Sequence, residues 1–190
     1  YEPLSRLKFD IYTNILREVH DDIDTYAAIF ALWMEGKAYV PLHPNQPQER
    51  NIGIISQVGL HYVIDSSIDS LYGNKDDLHV LYTANSKDID LLVDDFKEAT
   101  DDDLAYILFT SGSTGVPKGV QITRGNVAAF MKSFWKTGIT ITEEDRCLQV
   151  FDLTFDVSVQ SYLVALTCGA CVYTVPYGQV KYLYAASLIQ

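Results

Sequence analysis

Two stretches of this chain carry side chains whose types and spacing suit chemistry. The first, Thr110-Ser-Gly-Ser-Thr-Gly115, contains only hydroxyl-bearing residues and glycine, and Lys118 follows it closely. The hydroxyls of Thr110, Ser111, Ser113 and Thr114 and the exposed backbone N–H groups are hydrogen-bond donors, and Lys118 adds a positive point charge. Gly112, Gly115 and Gly119 let the backbone take positive φ and come close to a ligand. Those are the parts needed to grip the oxygens of a polyphosphate. The same composition also suits a flexible Ser/Gly loop joining two strands. The second stretch, Phe151 to Gln160, sets Asp152 and Asp156 among Phe151, Leu153, Phe155 and Val157. A carboxylate in such company either caps a helix or meets a cation. Asp156 stands before a helical stretch, Val157 to Leu166, so N-capping is one sufficient explanation.

The surrounding elements must hold these groups in place. Leu104 to Phe109 is apolar and too short for a helix, and reads as a buried strand delivering Thr110. The generic phosphate loop Gly-x-x-x-x-Gly-Lys-Ser/Thr is not matched, because Pro117 precedes the lysine and Gly119 follows it. Pro117 restricts Val116 to extended backbone, which disfavours a helix through Lys118. Gly119 to Ile122 returns as a strand. Thr123 then caps a helix from Arg124 to about Thr137, with Val127, Phe130, Met131 and Phe134 assigned to the core by their spacing. Trp135 reads as a core or half-exposed aromatic. Thr142 to Asp145 is a polar turn and Arg146 to Phe151 a further strand.

Upstream, residues 1–20 read as an irregular start, with Ile11 to Val19 open between a short helix and a strand. Asp22 and Asp24 precede a helix over Thr25 to Met34, with Gly36 just past its end. Ala38 to Leu42 reads as a strand. A second helix follows, with Pro47 suited to its first position and Gly59 at its close, and then a strand over His61 to Ile64. This alternation predicts an α/β fold with mostly parallel strands.

Tyr106-Ile-Leu-Phe-Thr-Ser-Gly-Ser-Thr-Gly-Val-Pro-Lys-Gly-Val120 resembles the phosphate-gripping signature of the adenylate-forming enzymes. These comprise amino-acid adenylation domains, acyl-CoA synthetases and luciferases. Phe30 to Arg50 is similar to the adenylation-domain motif Lys-Ala-Gly-x-Ala-Tyr-Val-Pro-Leu-Asp-Pro-x-x-Pro-x-x-Arg. It departs at Glu35 and Lys37, and at His43, which replaces an aspartate. Between Pro41 and Pro44, His43 reads as a turn residue satisfying backbone groups rather than a catalytic base. Thr154 to Ala170 resembles the Ser-Phe-Asp-Ala-Ser-Val…Leu-Leu-x-Gly-Ala segment of the amino-acid-activating members.

The resemblance implies roles. Thr110, Ser111, Gly112, Ser113, Thr114, Gly115 and Lys118 would bind the β- and γ-phosphates of ATP. Asp156 matches the aspartate that pairs with the substrate's α-ammonium, and a buried carboxylate is tolerable beside such a cation. Val157 and Gln160 match positions lining the side-chain pocket. The implied reaction is attack of an amino-acid carboxylate on ATP, giving an aminoacyl adenylate and pyrophosphate, followed by transfer of the aminoacyl group to a phosphopantetheine carrier-protein thiol. It also implies that residues 21–190 are a truncated N-terminal adenylation subdomain, without the C-terminal subdomain. The adenine-stacking aromatic, the magnesium ligand, the ribose-binding aspartate and the C-terminal catalytic lysine are then expected elsewhere. Lys118 is not that lysine, no catalytic residue is assigned within the stretch, and the stretch alone is expected to be inactive. A peptide-synthetase module and a stand-alone ligase of the D-alanine–carrier-protein type both fit. An acyl- or aryl-CoA synthetase and a non-catalytic binding module remain the other readings.

The totals bound the rest. The 190 residues carry 14 Lys+Arg against 25 Asp+Glu, a formal charge of −11, which argues against nucleic-acid binding through a basic face. Much of that acid falls in Asp88 to Asp103, read as a solvated connector. Val157 to Val180 lacks charge, but its polar residues, Gly169 and Pro176 divide it into helix, turn and strand rather than a membrane span. The opening residues lack a signal-peptide pattern. Cys168-Gly-Ala-Cys171 lacks a second ligand pair for zinc and does not open a helix, so these cysteines and Cys147 read as small buried residues in a reducing cytoplasm.

Overall fold

The computed structural model describes residues 12–15, 22–43, 45–66, 78–83, 98–111, 116–175 and 179–188. It is a mixed α/β fold. Strands β1 (Tyr12–Ile15), β2 (Tyr62–Asp65) and β3 (His79–Tyr82) form one parallel sheet in that order. Of the two options for residues 11–19, the strand is therefore the one found, at its first residues. Helix α1 (Ile23–Met34) is capped by Asp22, whose Oδ1 accepts the Thr25 N–H at 2.8 Å, and it ends at Gly36 with φ 70°. Helix α2 (Gln48–Val58) closes on left-handed Gly59. Pro47 is its N-cap rather than its first helical residue: φ −51° suits either place, but ψ 132° is extended.

β4 (Leu104–Thr110) lies at the centre. Its Leu104 and Ile107 belong to one core cluster with Val40, Leu42, Ile54 and Val63. Its Ala105, Tyr106 and Leu108 belong to a second with Ile29, Leu32, Leu153, Tyr162 and Leu163. A strand buried on both faces reads as the continuous apolar run seen in the sequence. The Ala38–Leu42 segment expected as a strand runs beside β4 as an isolated parallel bridge, Tyr39 to Tyr106. At that bridge Tyr39 donates to Ala105 O and Ile107 donates to Tyr39 O. Both core clusters take residues from it, Val40 facing one and Tyr39 the other.

β4 pairs antiparallel with β5 (Lys118–Thr123), so the phosphate-type stretch is the tip of a hairpin in an otherwise parallel design. Thr123 then caps α3 (Arg124–Trp135) through a full capping box with Asn126. β6 (Arg146–Gln149) and β7 (Cys171–Thr174) form a parallel pair joined by α4 (Asp156–Leu166), the right element for a parallel crossover. α5 (Lys181–Leu188) follows. The uncharged run from Val157 thus resolves into helix, turn and strand, and among the described residues no helix is long and apolar enough to cross a membrane.

Two expectations about packing need correction. The three cysteines are free thiols, but Cys147 and Cys168 are half-buried and Cys171 is exposed at the start of β7. Burial and the neighbouring Asp145 push the Cys147 thiol up. On α3, Val127 and Met131 pack against the second core cluster, whereas Phe130 is 40% exposed. Residues 88–97 of the acidic connector lie outside the described residues. Its end is a turn in which Asp103 accepts from the Thr100 N–H and hydroxyl.

Candidate functional site

The hairpin register sets Thr110 directly opposite Lys118. Both are exposed, and the Thr110 hydroxyl reaches the Lys118 carbonyl at 3.5 Å. Ser111 is exposed beside them, while Gly112, Ser113, Thr114 and Gly115 lie outside the described residues. Lys118 opens a strand, not a helix, as Pro117 requires. Gly119 serves packing rather than close ligand approach. Its φ is not positive, and a Cβ there would sit 3.1 Å from Phe109 Cζ and 3.2 Å from Ile107 Cγ2.

The loop before α4 is held by its own polar groups. Buried Gln149 at the end of β6 clamps Phe151, donating to its carbonyl at 3.0 Å and accepting its N–H at 3.2 Å. Asp152 then accepts from the Thr154 N–H at 3.0 Å and hydroxyl at 2.9 Å, an Asx turn. Its other oxygen meets His43 Nε2. His43 Nδ1 accepts the Asn45 N–H at 3.0 Å, so the neutral ring carries its proton on Nε2 and donates it to Asp152. The turn role expected of His43 is present, and the partnership with Asp152 adds to it. Burial pushes the Asp152 carboxyl up, but the bonds from His43 and Thr154 outweigh this and hold it at about 2.

Asp156 differs in kind. It is the first residue of α4, Phe155 is the N-cap, and no side chain caps the helix. Capping therefore does not account for Asp156, although an acid in the first turn still suits the helix dipole. Among the described residues its carboxylate has no hydrogen-bond or ion-pair partner, and it is exposed rather than buried, because it faces two cavities. One, of about 260 Å³, is bounded by Tyr106, Ile122, Phe130, Val157 and Gln160 with Asp156 at its edge. The other, of about 740 Å³, runs from Asp156 and Thr154 to Thr110, Ser111 and Arg50. Asp156 thus joins a small, mainly apolar recess to a larger one ending at the hairpin tip. The recess explains the exposure of Phe130: its helical face looks into a cavity, not into the core.

Behind the small recess the floor is fixed. Tyr39 and Tyr162 are buried and hydroxyl-bonded to each other at 3.0 Å, and the Tyr39 ring packs on Tyr106 with centroids 5.5 Å apart. Burial pushes the Tyr106 phenol up to about 12, and the Asp156 charge adds to the shift. Asp156, Val157 and Gln160, the three residues expected at the substrate, all border this one recess. The sequence reasoning missed Tyr106, Asn126 and Phe130 as lining residues, and Arg50 in the larger cavity, because none carries a local signal of facing a void. Among the described residues no group of three or more His, Cys, Asp or Glu side chains could hold a metal ion.

Known proteins resemble this chain in both sequence and shape. Nonribosomal peptide synthetase sidE of Aspergillus fumigatus is 37% identical over 161 residues, covering 78% of this chain and 7% of that protein. Gramicidin S synthase 1 of Brevibacillus brevis is 30% identical over 178 residues, covering 87% and 15%. The chain therefore spans a small part of these relatives' length. The N-terminal subdomain of NpsA from Klebsiella oxytoca, solved in complex with 3-hydroxyanthranilyl-AMSN, superposes with a TM-score of 0.76 at 27% identity, over 97% of this chain and 45% of that one. An artificial NpsA–ThdA adenylation–PCP di-domain superposes at 0.78 with 28% identity, over 97% of this chain and 36% of that one. The family model described as AMP-binding enzyme matches residues 19–188, nearly the whole chain, and the chain belongs to that family as a part of the N-terminal subdomain of an adenylation domain.

Proposed function

We propose that the protein containing this chain activates an amino acid with ATP, forming an aminoacyl adenylate and releasing pyrophosphate. The observation that carries this reading is the unpartnered Asp156 carboxylate where the two cavities meet. An α-amino acid has a cation, a side chain and a carboxylate on one carbon. With its ammonium on Asp156, its side chain enters the recess lined by Val157, Gln160 and Phe130. Its carboxylate then points into the larger cavity, toward Thr110, Ser111 and the phosphates of ATP. Catalysis here is positioning and charge neutralisation by groups already in place. Thr110, Ser111 and Lys118, with Gly112 to Gly115 between them, hold the β- and γ-phosphates. Magnesium, which ATP chemistry of this family implies, finds no ligand set among the described residues. The carrier-protein thiol then attacks the aminoacyl carbonyl, forming a thioester and releasing AMP, in a cytoplasmic peptide-synthetase module or a D-alanine-type ligase. The di-domain likeness and the peptide-synthetase relatives support a carrier partner.

A second reading, activation of an aryl acid, draws on the NpsA structure, whose ligand is a 3-hydroxyanthranilyl compound. Amino-acid-dependent ATP–pyrophosphate exchange by the full-length protein separates the two. Exchange with one or a few amino acids, lost in Asp156→Ala, is the expected result. Exchange only with carboxylic acids lacking an α-amine, aryl acids among them, would replace the first reading with the second, and silence with both would favour a non-catalytic module.

A further inference from the structure

Among the described residues no partner accounts for Arg50. It lies in the first turn of α2, where the helix dipole disfavours a cation. Its Nε is buried without a hydrogen-bond partner, and among the described residues its side chain makes no ion pair. Arg124 makes a useful contrast: its Nε is equally orphaned, but its Nη2 donates to the Trp33 carbonyl at 2.7 Å and so closes the end of α1. Among the described residues the Arg50 side chain has no such bond. It does line the 740 Å³ cavity that ends at Thr110 and Ser111, with Gln46 beside it. A half-buried guanidinium without a counter-ion, facing a cavity with hydroxyls at its far wall, is matched to an oxyanion, which its planar fork can bind through two bonds.

We propose that Arg50 is a second phosphate-binding cation of this site, holding a phosphate group across the cavity from the hairpin that carries Lys118. This rests on the reading of the hairpin as the phosphate grip, and adds a residue from a different element, α2. The acid facing the same cavity is Asp156, whose charge repels an anion until an ammonium neutralises it. Phosphate binding at Arg50 and ammonium binding at Asp156 should therefore favour each other.

The test uses inorganic pyrophosphate as probe, titrated into the full-length protein by calorimetry and, with isotope-labelled arginine, by NMR. Arg50→Gln should weaken pyrophosphate binding about tenfold and flatten its salt dependence, with Arg50→Lys recovering part of it. Asp156→Asn should leave pyrophosphate affinity equal or tighter, whatever the identity of the substrate, so failure of the amino-acid reading stays distinguishable. In the unsubstituted protein the Arg50 Nε–H resonance should shift on adding pyrophosphate, a readout that survives if Arg50→Gln does not fold. Unchanged affinity in Arg50→Gln, an unmoved Nε–H signal, or no pyrophosphate binding at all would overturn the proposal. A loss confined to amino-acid binding would assign Arg50 to the substrate carboxylate instead and equally overturn it.

Discussion

Asp152 and Asp156 are near neighbours in the chain with opposite surroundings. Asp152 is bonded on both oxygens, to Thr154 and His43, and its carboxyl is held at about 2. A carboxyl held below the usual range stabilises the fold above about pH 4 and loses that contribution as pH falls toward 2. His43→Ala should therefore cost about 1 kcal/mol near neutral pH, a figure reduced for the pair's partial exposure, and move the acid-unfolding midpoint upward. Urea titrations at several pH values check both. Asp156 has no partner among the described residues, yet its charge adds to burial in pushing the Tyr106 phenol up to about 12. Asp156→Asn should lower the Tyr106 value, read from the phenolate absorbance in an alkaline titration, with little change in stability. The motif made Asp156 legible in the sequence. The His43–Asp152 bond was not, since its partners lie far apart in the chain and His43 departs from the motif.

At the scale of elements, the hairpin, its exit helix α3 and the start of α4 line the candidate site. Thr123 closes a capping box at the start of α3, so Thr123→Ala should cost about 1 kcal/mol, measurable by thermal or urea unfolding. A Cβ on Gly119 would already sit 3.1 Å from Phe109 Cζ and 3.2 Å from Ile107 Cγ2, closer than ordinary contact, so the two further methyl groups of Gly119→Val should cost about 1–3 kcal/mol by the same measurement. Helix α1 was legible because its Asp22 cap, the glycine past its end and its apolar spacing agreed; α2 and α4 were legible from apolar spacing and a following glycine, without a side-chain cap. β1 was ambiguous because a four-residue strand offers too little alternation to separate it from a helical turn. The α3 face illustrates a different limit. Spacing says that Val127, Phe130 and Met131 share a face, but not that part of that face opens on a cavity.

For the whole molecule, the chain matches 7% and 15% of two peptide-synthetase relatives, and its described residues include Thr110, Ser111 and Lys118 of the candidate phosphate-binding hairpin and the candidate ammonium anchor Asp156, with no cluster that could hold a metal. This chain alone should bind ligand without turning it over; adenylate formed by it in a radiolabelled ATP assay would contradict that expectation. The central claim is that Asp156 recognises an amine. The most direct measurement is a double-mutant cycle on the full-length protein, pairing the substrate amino acid and its des-amino acid with wild type and Asp156→Ala. The account predicts that removing the amine weakens binding to wild type at least tenfold and leaves binding to Asp156→Ala nearly unchanged, a coupling of about 1.5–3 kcal/mol. Equal losses in both proteins would contradict it.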